Sequence, residues 1–124
     1  IAHKRNIEDR VQFIGDQHGA AKQQLFLEHD LLILPSLTEI SPNVALEARA
    51  VGMPVLLTEE TGLSVAMARG MILRRLRSSE DIISSIREIT RRYGEIAAGC
   101  GMPMISHPWQ NVASEHIRLF QDLR

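Results

Sequence analysis

Two carboxylates eight positions apart, Glu39 and Glu47, hold the most suggestive chemistry in this chain. They stand inside the stretch "LLILPSLTEISPNVALEARAVGMPVLLT", residues 31–58, in which two apolar runs flank a helix-like segment. At about 100° per residue, a helix over 42–51 projects Glu47 between Ala50 and Val51, with Val44 and Ala48 close by. Arg49 projects to a different, solvated side. Glu47 is therefore expected to be partly buried, and burying a carboxylate unpaired costs several kcal/mol. Something must donate hydrogen bonds to it, the plain candidates being a buried partner such as an arginine or a neighbouring backbone amide. Glu39 lies instead in a loop that leads into the N-terminus of the same helix. There free amides and the helix dipole favour an anion such as phosphate. Pro42 has no N–H, so the candidate donors are the amides of Ser41, Asn43 and Val44.

These residues need a scaffold, and the chain supplies an alternation of strand-like and helix-like segments. The run "VQFI" at 11–14, closed by Gly15, reads as a strand. Residues 20–28 read as a short helix, and "LLIL" at 31–34, stopped by Pro35, as a strand buried on both faces. The helix over 42–51 has Ser41 as expected N-cap, Pro42 in its first turn and Gly52 beyond its end. A third strand is expected at 54–58, a short helix at 62–68 and a short strand at 71–73. Residues 79–92 carry Ile82, Ile83, Ile86 and Ile89 at helical spacing. The Gly- and Met-rich residues 94–105 read as irregular. A last amphipathic helix is expected at 109–123, with Val112, His116, Leu119, Phe120 and Leu123 inward and Trp109 packing it down. Short connections between alternating strands and helices imply an α/β fold: one open, mostly parallel, Rossmann-like sheet flanked by helices. Ligands of such sheets bind outside the carboxyl ends of the strands, where Glu39 falls.

Composition narrows the function classes. At 124 residues, 44% hydrophobic and 23% charged, the chain suits a single globular domain. A formal charge of -1 gives no field for nucleic acid or an anionic membrane. One cysteine, Cys100, excludes an internal disulfide, and the five histidines have no metal-ligand spacing, so no metal is expected. No run approaches a membrane span. The opening "IAHKRNIEDRVQF" shows no signal peptide and reads as a chain entered midway, hence as a fragment of a longer protein. There is no G-x-G-x-x-G, Walker loop or nucleophile elbow. Arg74, Arg75 and Arg77 form a basic cluster that reads first as solvated surface and second as a contact for an anionic membrane or lipid-linked acceptor. His18, near the 11–15 segment, is a minor ligand candidate.

The segment "LPSLTEISPNVALEARAVGMPVLLTEETG" resembles the nucleotide-sugar half of retaining GT-B glycosyltransferases of the glycosyl transferases group 1 family. The resemblance lies in an E-x7-E motif within "PS…E-x-x-P-N-x-x-x-E-A-x-A-x-G-x-P-V". It extends to "VQFIG", "EHDLLILPS", "TG" at Thr61–Gly62 and the closing "HPWQNVASEHIRLF". It implies a C-terminal donor-binding domain of a GT-B enzyme that transfers a sugar from a nucleotide-diphosphate sugar with retention of configuration. Glu47 would accept from the ribose hydroxyls. Glu39 would hold the donor sugar at the reacting carbon and is the catalytic candidate. Ser41, Asn43 and Val44 would support sugar and diphosphate, while Gly15 and Asp16 would lie against the base. The donor is a substrate, and no cofactor is implied. Implied partners are that donor and a sugar or lipid-linked acceptor held by an N-terminal domain absent from this sequence. The implied location is cytoplasmic, with the inner face of a membrane as a second station. Ile40-Ser41 and Arg49 depart from the family pattern, and the upstream Arg and Lys that usually meet the diphosphate are not in this chain. A non-catalytic α/β regulatory or interaction module, or a related GT-B nucleotide-sugar epimerase, is the alternative.

Overall fold

The apolar runs at 31–34 and 54–58 become neighbouring strands because burying their side chains is worth roughly 1.5–3 kcal/mol each, which only pairing and covering both faces can realise. The computed structural model describes residues 2–100 together with 113, 114, 117, 118 and 121. In chain order the elements are α1 (Ala2–Arg5), a 3-10 turn (Glu8–Arg10), α2 (Gly19–Glu28), β1 (Leu32–Leu34), α3 (Asn43–Ala50), β2 (Val55–Thr58), β3 (Ile72–Arg74), α4 (Ser79–Arg91) and α5 (Tyr93–Cys100). The strands form a three-stranded parallel sheet in the order β1-β2-β3. Leu32 stands opposite Val55, Leu34 opposite Leu57, and Thr58 opposite Arg74.

The two-residue period of the strands sorts the core into two faces. Val55 and Leu57 of β2 face one way, with Leu32, Leu34 and Leu73 beside them. Ala45 and Ala48 of α3 and Phe26 of α2 cover that side. Leu56 faces the other way with Ile33 and Ile72, under Ile82, Ile86 and Ile89 of α4 and Tyr93 and Ile96 of α5. All four residues of β2 are buried, as its central place in the sheet requires. The Tyr93 hydroxyl donates to the Asp30 carbonyl at 3.0 Å, which ties the start of α5 to the start of β1.

Helix α4 begins with a capping box. The Ser78 hydroxyl accepts from the Asp81 amide at 3.1 Å, and the Asp81 carboxylate accepts from the Ser78 amide at 3.0 Å. Bonding to Ser78 holds the Asp81 carboxyl below its ordinary range, and the Arg74 guanidinium does the same for Glu88. A carboxyl with a depressed folded-state pKa adds stability above its unfolded pKa, and that stability is lost as pH falls through the folded value. The Ser78→Ala chain should therefore lose about 1 kcal/mol at neutral pH, the usual worth of such a cap. Its deficit relative to wild type should shrink as acid protonates Asp81. Urea unfolding at neutral pH and below the carboxylate range checks both points.

Several expected elements form differently. Residues 11–14 take no regular secondary structure and pair with no described strand. Phe13 is 95% exposed and Ile14 50% exposed, so β-rich composition alone did not make a sheet strand where no described strand offers its backbone. Residues 62–68 are not helical: an isolated bridge at Thr61 gives way to turns over 65–70. The bridge takes up backbone groups at the start of the segment, and Gly70 at φ 81° ends the turns. Residues 94–100, expected to be irregular, belong to α5, whose Ile96 and Cys100 are held against the body and outweigh its two glycines. Ile83 is 47% exposed rather than inward. Ser41 does not cap α3. The N-cap position is Pro42, without a side-chain bond, and the Asn43 amide already donates to the Ser41 carbonyl at 2.8 Å. Residues 101–105 and most of the helix expected at 109–123, including Trp109, Val112, His116, Leu119, Phe120 and Leu123, lie outside the described residues. Among those described, no helix is long and apolar enough to cross a membrane.

Candidate functional site

Glu39 is placed by backbone pairing that continues past the strands. Its amide donates to the Glu60 carbonyl at 2.9 Å, its carbonyl accepts from the Gly62 amide at 3.0 Å, and it forms a parallel bridge with Thr61. The loops that follow β1 and β2 are thus stitched together at the carboxyl edge of the sheet. The Ser36 hydroxyl donates to Glu39 Oε2 at 3.1 Å, and the side chain is half-buried. Oε1 has no described partner. Around it the loop leaves Leu37 and Ile40 exposed, at 74% and 80%.

Glu47 and Arg49 exchange the places expected for them. Glu47 is surface-lying, with 45% of its side chain exposed, and its Oε2 meets Lys22 Nζ of α2 at 2.5 Å. Arg49 is only 2% exposed. Its Nε donates to the Arg69 carbonyl at 3.1 Å and its Nη1 to the Cys100 carbonyl. A helical projection sees only the neighbours on one helix. The loop around Gly70 and the end of α5, which cover the Arg49 side, come from elsewhere in the chain and supply the carbonyls a buried guanidinium needs. Beside Glu47 a groove of about 240 Å³ opens between α2 and α3, lined by Gly19, Lys22, Gln23, Phe26, Ala50 and Val51 as well as the acid itself. So the acid is met by a surface ammonium, not by an internal guanidinium, and open space adjoins it.

Among the described residues, each acid therefore has one oxygen engaged by a neighbour and the other without a partner. That arrangement suits hydroxyl recognition. The first turn of α3 contributes less than expected, because the Asn43 amide is taken; among the described residues the amides of Ser41 and Val44 have no acceptor. Gly15 (φ 65°) and Asp16 sit in the exposed 11–18 segment, and no described contact joins them to either acid. His18, at the N-cap of α2, is exposed and makes no capping bond. No described group of three His, Cys, Asp or Glu could hold a metal ion. Two of the three clustered arginines are committed to the scaffold, Arg74 to Glu88 and Arg77 to Glu60, each at 2.9 Å. The concavity of about 810 Å³ under the β2–β3 loop, which includes Val65, Arg69 and Met71, has no carboxylate in its described lining.

Sequence reasoning missed Lys22, Ser36 and Arg49. Ser36 was within reach of it, since a hydroxyl three residues before a loop acid is a common local donor. Lys22 was not, because its partner lies on another helix.

Comparison with known proteins decides the family. The sequence pattern of the family described as glycosyl transferases group 1 matches residues 1–91. The chain belongs to that family. Its relatives include the D-inositol 3-phosphate glycosyltransferase of Mycobacteroides abscessus, 34% identical over 109 residues that make up 86% of this chain and 24% of that protein. The protein of the same name from Gordonia bronchialis is 40% identical over 70 residues, 56% of this chain and 15% of that protein. The chain thus spans a quarter or less of these two relatives. Among solved structures it is similar to sucrose-phosphate synthase from Thermosynechococcus elongatus, with a TM-score of 0.77 and 21% identity. That match covers 98% of this chain and 32% of the other. At that identity the likeness speaks for the fold: an α/β domain with a parallel sheet between helices, as in GT-B enzymes. Within the family, the motif that carries Glu39 and Glu47 falls in the matched region.

Proposed function

We propose that this chain is the donor-binding part of a GT-B glycosyltransferase, the C-terminal domain of a longer enzyme that transfers a sugar from a nucleotide-diphosphate sugar with retention of configuration. The observation that carries the reading is the pair of family-motif acids, each with one oxygen held and the other without a described partner, one at the carboxyl edge and one beside the groove. In this reading Glu47 accepts from the ribose diol and Glu39 from the donor-sugar hydroxyls beside the reacting carbon. The amides of Ser41 and Val44 support sugar and diphosphate, with Asn43 reorienting to join them, and Gly15 and Asp16 close on the base. The contribution to rate is alignment of the donor and stabilisation of charge building on the departing diphosphate. The acceptor is a hydroxyl-bearing sugar or lipid-linked molecule carried by another domain, and no cofactor takes part. Cytoplasmic location belongs to the same proposal, as does peripheral contact with a membrane, for which Arg75 is the arginine of the cluster with no described salt bridge.

The test is titration of UDP, GDP and ADP into isotope-labelled chain. One of them should shift amide signals at Gly15, at Ser41 to Val44 and at Glu47. Glu47→Ala should weaken that ligand about tenfold or more, the worth of hydrogen bonds to a charged group. No shift at millimolar nucleotide, or an unchanged affinity in the variant, would remove the ribose role.

A further inference from the structure

We infer that Lys22 is a positioning residue of this site, holding Glu47 by one carboxylate oxygen so that the other faces a ligand diol; the inference rests on the donor-site reading above. A lysine on a surface helix ordinarily extends into water, because pairing costs it rotamer freedom. Lys22 instead folds back across the gap between α2 and α3. Its side chain is 31% exposed and its Nζ stands 2.5 Å from Glu47 Oε2, while Oε1 has no described partner.

The neighbours explain why the ammonium reaches. Gly19 and Phe26 lie three and four residues away from Lys22, hence on the same face of α2, and all three line the groove. Gly19 puts no side chain above the lysine stem, and Phe26, packed against the core, forms apolar ground below it. The stem can thus lie along the groove while its head meets the acid. Without the ammonium, a half-exposed Glu47 would sample several rotamers. With it, one rotamer is selected before a ligand arrives, and the cost of fixing that rotamer is removed from the binding step.

Lys22 is not needed to hold the helices in place. Phe26 anchors α2, and Ala45 and Ala48, both fully buried, anchor α3. Its loss is therefore expected to act on ligand recognition and to leave folding intact. A lysine that only braced the helices would affect every ligand of the groove alike. A lysine that orients Glu47 should act through the hydroxyls which that acid receives, and this difference is measurable.

The experiment is calorimetric or NMR titration of the 124-residue chain with whichever of UDP, GDP and ADP binds, and with its 2′-deoxy counterpart. Wild type, Lys22→Met, Lys22→Arg and Glu47→Gln are compared. The expected result is a loss of about two- to fivefold for the ribonucleotide in Lys22→Met, the size of one partly exposed ion pair. The 2′-deoxynucleotide should lose little, so that the preference for ribose falls, and Lys22→Arg should recover most of it. Equal losses for both nucleotides, no loss, or tighter binding in Lys22→Met would overturn the inference. If Glu47→Gln abolishes the ribose preference in the same series, the donor-site reading survives that failure. If Glu47→Gln leaves the preference untouched, or wild type binds no nucleotide, both fall together.

Discussion

Replacing Arg49 with alanine should cost the chain about 3 kcal/mol of stability, in the range seen when buried polar partners are stranded and a cavity is left. Three parts of the molecule converge on this one side chain. Arg49 leaves α3, donates to the Arg69 carbonyl in the β2–β3 loop, and donates to the Cys100 carbonyl at the end of α5. The cation there also meets the negative end of a helix dipole. Gly70 completes the arrangement. At φ 81°, its missing side chain leaves room for the guanidinium, and a Cβ there would stand 2.5 Å from Arg49 Nε and 2.7 Å from Nη2. The Cys100 thiol, pushed above its ordinary pKa by burial, donates to the Gly70 carbonyl at 3.3 Å and closes the cluster from the other side. Arg49→Lys should lose less than Arg49→Ala, because one ammonium can serve only part of what the planar fork serves. Gly70→Ala should destabilise through both its φ and the collision. Urea unfolding of the three variants measures the effect. An Arg49→Ala chain within 0.5 kcal/mol of wild type (roughly the scatter of surface substitutions) would mean that the guanidinium is not what holds the loop and α5 to α3.

Gly62→Ala should be the other severe change, costing roughly 1–3 kcal/mol by overpacking and displacing Glu39 with it. A Cβ at Gly62 would lie 2.5 Å from the Ile40 carbonyl oxygen and 3.3 Å from its carbon. Both are backbone atoms of the loop that bears Glu39, and they cannot swing aside as a side chain would. Relief requires the two loops to part, which breaks the bond from the Gly62 amide to the Glu39 carbonyl and strains the one from the Glu39 amide to Glu60. Lower stability should therefore come with amide shifts at Glu39 and Glu60 and, if the proposed donor site is right, with weaker nucleotide binding. Gly94→Ala is the control. A Cβ there meets nothing within 4 Å, and α5 is helical at that point, so stability should rise by up to about 1 kcal/mol. If both glycine variants moved stability in the same direction, close backbone approach at Gly62 would not be the operative feature.

Much of the scaffold and the family were legible in the residue order. The runs at 31–34 and 54–58 could hardly avoid being buried strands, and the isoleucines at 82, 86 and 89 could hardly avoid one helix face, because each is a local periodicity with a hydrophobic driving force behind it. The spacing of Glu39 and Glu47 and the pattern around it pointed to the family that the comparisons show. What stayed hidden depends on contacts between distant parts of the chain. Residues 11–14 have strand composition, but whether they pair depends on a neighbouring backbone, and no described strand offers one. The glycines at 94 and 99 suggested irregular backbone, yet packing of Ile96 and Cys100 against the body makes that segment helical.

The sequence by itself determined the α/β alternation and the carboxyl-edge location of Glu39, since both follow from local pattern and motif. Only the tertiary structure decided which charged side chain of α3 is buried. Projection onto a lone helix put Glu47 inside and Arg49 in water, whereas the packed chain brings the Arg69 and Cys100 carbonyls over Arg49 and the Lys22 ammonium up to Glu47. The physical reason is that the cost of burying a charge depends on its partners, and these partners come from segments up to 51 residues away.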